Sequence, residues 1–216
     1  MADIFREVDE DIRRERYAKL WKAYGRYVIA TAVAIVIATA ATIGWREFTR
    51  SQREADGARF AVALDLARGG NSAEAAAAFA QVAEDAGGEY AALAQLQAAA
   101  NLVFAGDVDG AIAAYDRLAE DRSADRILRD LSALLAVIHS FDRADSAELA
   151  QRLEPLVGGD NPWRYSAREL NALAAYKAGN HTAAREGFAA LVDDVGAPQG
   201  VRSRSVELLA AIGGGE

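Results

Sequence analysis

The sequence predicts an all-α chain: one apolar helix of membrane-spanning length, then an α-solenoid of about four helical hairpins plus a capping helix. Three observations carry this. Tyr27 to Trp45 is a run of nineteen residues without a charge, closed by Arg26 and Arg46. A Gly-Asn or Gly-Asp pair, followed at fixed spacing by Ala and then an aromatic residue, recurs at Gly70, Gly106 and Gly179. Ala and Leu abound, Pro occurs three times in 216 residues, and strand-like alternation is hard to find.

Residues 3–26 read as a helix. Ile4, Val8 and Ile12 step by four, and Tyr17, Leu20, Trp21 and Tyr24 continue the stripe. Arg13, Arg14, Arg16, Lys19, Lys22 and Arg26 crowd the approach to the apolar run, the pattern of a juxtamembrane helix at anionic headgroups. Four cations, Arg46, Arg50, Arg53 and Arg59, stand beyond it, against six before it. The bias places the N-terminus in the cytoplasm.

The run itself would be about 28 Å long as a helix, close to the hydrocarbon thickness of a bilayer. Tyr24 and Tyr27 at one margin and Trp45 and Phe48 at the other resemble interfacial aromatic belts. Two alternatives stand beside a transmembrane helix. A buried core helix suits the moderate hydropathy of six Ala, three Thr and a Gly. A cleaved signal peptide suits Ala38-Thr39-Ala40, but the preceding 26 residues carry six acidic side chains, unlike a short basic leader. Ala30, Ala34, Ala38 and Ala41 share one helical face, a candidate packing face for another transmembrane helix, that of a membrane partner or of a second copy. Ile29, Val33, Ile35, Val36, Ile37 and Ile43 lie on the others.

After Trp45 no breaker occurs before Gly57, and Phe60, Leu64 and Ala67 resume helical spacing, so one long helix is expected to run on into the following domain. The repeats begin there. Gly70-Asn71 leads to Ala75 and Phe79, Gly106-Asp107 to Ala111 and Tyr115, and Gly179-Asn180 to Ala184 and Phe188. The glycines are 36 and 73 residues apart, so a fourth, degenerate unit fills the gap, with Asp145 to Leu156 as its second helix. Gly supplies the left-handed cap that ends the first helix, and Asn or Asp starts the second. A small Ala lets the two helices approach, and the aromatic fills the space between hairpins. Trp163 opens the last unit after Asn161-Pro162. Pro198 to Ile212 reads as the capping helix, with Val201, Val206, Leu208 and Leu209 inward. The domains are thus 1–26, 27–45, a repeat domain at 46–212 and a disordered tail at 213–216.

Charge and chemistry exclude several functions. Residues 1–26 hold seven Lys/Arg and six Asp/Glu, net +1, whereas residues 47–216 hold sixteen and twenty-six, net −10. A domain so acidic is repelled by nucleic-acid phosphates. With no Cys there is no thiol chemistry and no disulfide. His139 lies among apolar residues in a helix and reads as partly buried and structural. His181, just past a turn, reads as exposed. Neither stands at metal-ligand spacing. The pairs Glu84-Asp85, Glu120-Asp121 and Asp193-Asp194 end second helices, where carboxylates stay solvated and lack the burial that acid–base work needs. No catalytic residue, cofactor, metal or small-molecule substrate is expected, and the chain reads as a non-enzyme.

The unit G-[DN]-x3-A-x3-[FY] resembles the second half of the tetratricopeptide repeat. The first half departs from it, with Ala63, Ala99 and Ala172 where the close-packing Gly would stand. The charged leader ADIFREVDEDIRRERYAKLWKAYGRYV, the apolar run and units ending in ALAAYKAGNHTAAREGFAALVDD are similar to the YfgM-like family. That family joins an ancillary subunit of the Sec translocon to a cell-division coordinator. The resemblance implies a bacterial inner-membrane protein with a periplasmic repeat domain. Its implied partners are the Sec translocon and a membrane-bound periplasmic chaperone, or else division and envelope-constriction machinery. For such a protein the groove formed by the first helices would bind an extended or helical peptide. In the register of Gly70, Gly106 and Gly179 its residues include Phe60, Leu64, Leu96, Val103, Phe104, Tyr176 and Lys177.

Overall fold

The computed structural model describes residues 2–86 and 89–213, with residues 2–20, Ala23, Val28 and Glu89 as backbone only. Every regular element among them is helical. Helix α1 spans Ala2–Arg68, so the leader, the apolar run and the first helix of the repeat domain are one element. It contains no Pro, and Gly57 does not interrupt it, because a lone glycine costs a helix only about 1 kcal/mol. The expected stripe Ile4–Tyr17 falls outside the described side chains, and the expected tail beyond Gly213 falls outside the described residues.

The chain forms two compact units, residues 1–54 and 55–216. The second compact unit begins at Ala55, within α1. In the first unit every side chain from Ile29 to Phe48 is exposed. Among the described residues nothing covers them, whereas a core helix of the same unit would be buried. This helix is long and apolar enough to cross a membrane.

The second unit is a row of helical hairpins. After α1 come α2 (Ser72–Asp85), α3 (Glu89–Phe104), α4 (Val108–Glu120), α5 (Arg126–Ser140) and α6 (Ser146–Leu153). A 3-10 turn, Glu154–Leu156, prolongs α6, and α7 (Arg164–Lys177), α8 (His181–Asp193) and α9 (Gln199–Gly213) follow. The second helices start from Asn71, Asp107, Asp145 and Asn180, spaced 36, 38 and 35 residues apart. Counting from each start gives one packing rule. Four residues on stand Ala75, Ala111, Leu149 and Ala184, all fully buried; eight on stand Phe79, Tyr115, Leu153 and Phe188, also buried. Eight residues before the start stand Ala63, Ala99, Val137 and Ala172, where the first helix meets the second. The degenerate third hairpin therefore exchanges small-plus-aromatic for two leucines and a valine, filling the same space with different shapes.

Three of the four turns share one device. Gly70, Gly106 and Gly179 have φ of 80°, 86° and 77°, a region that side chains with a Cβ avoid. In each, the glycine N–H and the next N–H fold back onto the helix carbonyls, as in Gly70 to Ala67 at 3.1 Å and Asn71 to Leu66 at 3.0 Å. The third turn, Phe141–Ala144, has no glycine and no positive φ. There the N–H groups of Arg143 and Ala144 both reach the Ser140 carbonyl.

Polar contacts at the repeat spacing tie neighbouring hairpins together. Arg143 pairs with Asp109 and Arg152 with Asp116. The Trp163 indole N–H donates to the Ile127 carbonyl at 3.2 Å. Arg204 on α9 grips the buried Glu169 carboxylate through both oxygens at 2.7 Å. Helix α9 closes the row with Val201, Ser205 and Ile212 buried and Leu208 and Leu209 packed beside them. Val206 was expected inward but is exposed. The inner stripe runs 201, 205, 208/209 and 212, and residue 206 points about 100° away from it.

Candidate protein-binding surface

The seven residues expected to line a groove fall on three first helices, α1, α3 and α7. Phe60 and Leu64 pack on the first core cluster, with the Phe60 ring edge-on to Phe79 at 5.0 Å and to Tyr90 at 6.2 Å. Leu96 and Val103 pack on the cluster around Ala99 and Tyr115. Phe104 is 80% exposed at the end of α3. Tyr176 is half exposed, edge-on to His181 at 5.1 Å. The Lys177 ammonium donates to the carbonyls of Phe141 and Ala144 and lies 5.6 Å from the centre of the Phe141 ring. It is occupied by the preceding hairpin. Ala30, Ala34, Ala38 and Ala41 are exposed along α1, as are Ile35 and Ile37 on its other faces.

Among the described residues an open cleft lies elsewhere. A cleft of about 550 Å³ separates the second helices α6 and α8 and is floored by α7. Ala147 and Ala150 form one wall, Ala183, Gly187 and Ala190 the other, and Ala172, Ala175 and Asn171 the floor. It exists for two local reasons. Helix α6 has only eight residues, because Pro155 turns the chain into the 3-10 segment, so it covers less of α7 than its counterparts do. The wall side chains are also very small. At Gly187 a Cβ would stand 2.8 Å from the Ala172 Cβ, so the close seating of α8 on α7 requires glycine there. Arg168 at the cleft end is neutralised: its Nε donates to the Val157 carbonyl at 2.8 Å, and Asp194 lies 3.7 Å away. A smaller counterpart of about 380 Å³ lies between α2 and α4 over α3, but Arg117, Glu84 and Asp121 project into it.

Sequence reasoning missed this cleft. Its walls are alanines, which the repeat pattern assigns to close packing, and only the early Pro155 hinted that α6 stops short.

The other candidates sit as structural parts. His139 is half-buried, its ring parallel to that of Tyr115 with centroids 5.7 Å apart. Burial pushes its imidazole below the ordinary value and pushes the Tyr115 phenol up. The acidic pairs shape the turns after the second helices. Asp121 accepts from the hydroxyl and N–H of Ser123, which hold its carboxyl below the usual range. Asp194 accepts from Gly196 N–H, and Asp85 pairs with Arg59. Among the described residues no group of three or more acidic or imidazole side chains is placed to hold a metal.

No curated protein and no solved structure matches the chain significantly. The model of the tetratricopeptide repeat-like domain matches residues 18–205. That span includes every hairpin described above, three of which share the small residue, the aromatic and the glycine cap. The chain belongs to the tetratricopeptide repeat-like domain family.

Proposed function

We propose that the protein is a non-catalytic, membrane-anchored adaptor that binds other proteins through its repeat unit. The observation that carries this is the row of four packed helical hairpins matched by the tetratricopeptide repeat-like model, an architecture that presents an extended helical surface to other proteins. The exposed apolar run of α1 is its single membrane span, uncleaved, with the N-terminus cytoplasmic and the repeat unit periplasmic in a bacterial inner membrane. The cationic approach to the run and its likeness to the YfgM-like layout support that orientation. The same likeness supports partners at the Sec translocon and a membrane-bound periplasmic chaperone. The face Ala30, Ala34, Ala38 and Ala41 is where α1 docks on a partner helix.

Copurification of the full chain after mild detergent extraction tests the reading. Sec components together with a chaperone support it. Septal enzymes or Tol–Pal-type proteins instead would make the chain a scaffold of division or envelope constriction. Recovery of no protein partner would remove the adaptor function. A phosphatase fused after Glu216 should be active and a green fluorescent fusion there dark; the reverse would overturn the orientation.

A further inference from the structure

The α6–α8 cleft is lined mainly by alanines, with Asn171 in its floor, and exposed carboxylates stand beside its two walls. At 100° per residue, Glu186 and Asp193 follow Ala190 round α8 on the side away from the buried Phe188 and Leu191. On the facing wall the exposed Glu154, whose backbone is still helical, falls between Ala147 and Ala150 in helical angle, one turn beyond Ala150. Glu154, Glu186 and Asp193 are all exposed, and none is ion-paired among the described residues. Elsewhere in the repeat unit carboxylates of the second helices do find cations, as Asp109 and Asp116 do. The cleft thus combines methyl-lined space with three uncompensated negative charges along its edges.

We propose that this cleft seats a cationic amphipathic α-helix of a partner protein, an inference that rests on the adaptor reading and names its site. Small or aliphatic side chains on one face of that helix would sit on Ala147, Ala150, Ala183 and Ala190. Lys or Arg flanking that face would meet Glu154, Glu186 and Asp193. A helix fits where a strand does not. The walls are helices whose backbone groups bond within themselves, so they offer no free N–H or C=O row for an added strand. Ala and Gly walls let a third helix come close, and opposed charges along the rims orient it and suppress acidic competitors. The sister cleft between α2 and α4 lacks this capacity, because Arg117 stands where Ala190 leaves room.

The test uses the full chain in nanodiscs and fluorescent amphipathic peptides. One peptide carries an Ala/Leu face flanked by Lys, a second the same face flanked by Glu, and a third the Lys peptide with its order scrambled. The Lys peptide should bind and the other two should not. Ala190→Arg copies the obstruction of the sister cleft, and E154K/E186K/D193K reverses the rims; each should weaken binding about tenfold or more. Ala80→Arg, in the sister cleft, should leave it unchanged. Circular dichroism melting of each variant separates lost binding from lost fold, and the exposed rim triple variant keeps the test open should Ala190→Arg unfold. Equal binding of Lys and Glu peptides, no binding, or an equal loss with Ala80→Arg would overturn the proposal. If the cleft variants still copurify the native partners while the Lys peptide fails, the adaptor stands and its binding site lies elsewhere.

Discussion

The Lys177 ammonium lies 2.6 Å from the carbonyl oxygen of Phe141 in the preceding hairpin, and 2.8 Å from that of Ala144. The three glycine turns satisfy their helix-end carbonyls with their own N–H groups. The third turn has no left-handed residue to do so, and a cation borrowed from the next hairpin serves it instead. Lys177 is therefore a tie between hairpins. Lys177→Met should lower stability by about 1–2 kcal/mol, the scale of hydrogen bonds to a charged group partly open to water. The thermal midpoint of the repeat unit should fall by about 2–6 °C, measured by circular dichroism. An unchanged midpoint would return the lysine to the candidate binding residues.

Gly187 should tolerate no side chain. Gly187→Ala places a methyl 2.8 Å from that of Ala172 and should cost about 1–3 kcal/mol in denaturant unfolding. Ala172→Gly in the same chain removes the opposing methyl and should recover part of the loss. Strict additivity of the two changes would show that they do not touch.

Phe188 and Phe104 separate repeat packing from surface. Phe188 is fully buried and Phe104 is 80% exposed. Phe188→Ala should cost about 3–5 kcal/mol, whereas Phe104→Ala should stay within about 0.5 kcal/mol of the parent. A large effect at Phe104 on stability would mean that its ring is covered in the native molecule.

His139 should make the repeat unit sensitive to acid. Burial holds its imidazole below the unfolded value of about 6.5, so the folded state resists protonation. The stability it supports is present above that value and lost as pH falls through the lower, folded value. Unfolding midpoints between about pH 7 and about pH 5 should decline, and His139→Gln should flatten the decline. The Tyr115 phenol, raised by burial, acts at the other end: its share is present below about pH 10 and lost as pH rises beyond. An acid decline identical in parent and variant would assign it to other groups.

Sequence alone determined the helical class, the continuous α1, the hairpin period and most of the core. Those features are local or periodic. A left-handed cap selects glycine at residues 70, 106 and 179, and close helix packing selects a small residue five positions on. Even the degenerate unit was legible, because its start at Asp145 keeps the period although its Leu149 and Leu153 do not keep the residue types. The tertiary structure alone decided what each exposed or half-exposed side chain does. Lys177 read as a groove residue, and the fold supplies carbonyls of the preceding turn for it; Phe60, Leu64, Leu96 and Val103 read as groove residues, and the fold packs each of them, half-buried, beside a core cluster. The α6–α8 cleft was invisible for the opposite reason. An alanine that lets two helices touch and an alanine that leaves room for a third read alike in sequence, and only the early end of α6 over α7 separates the two.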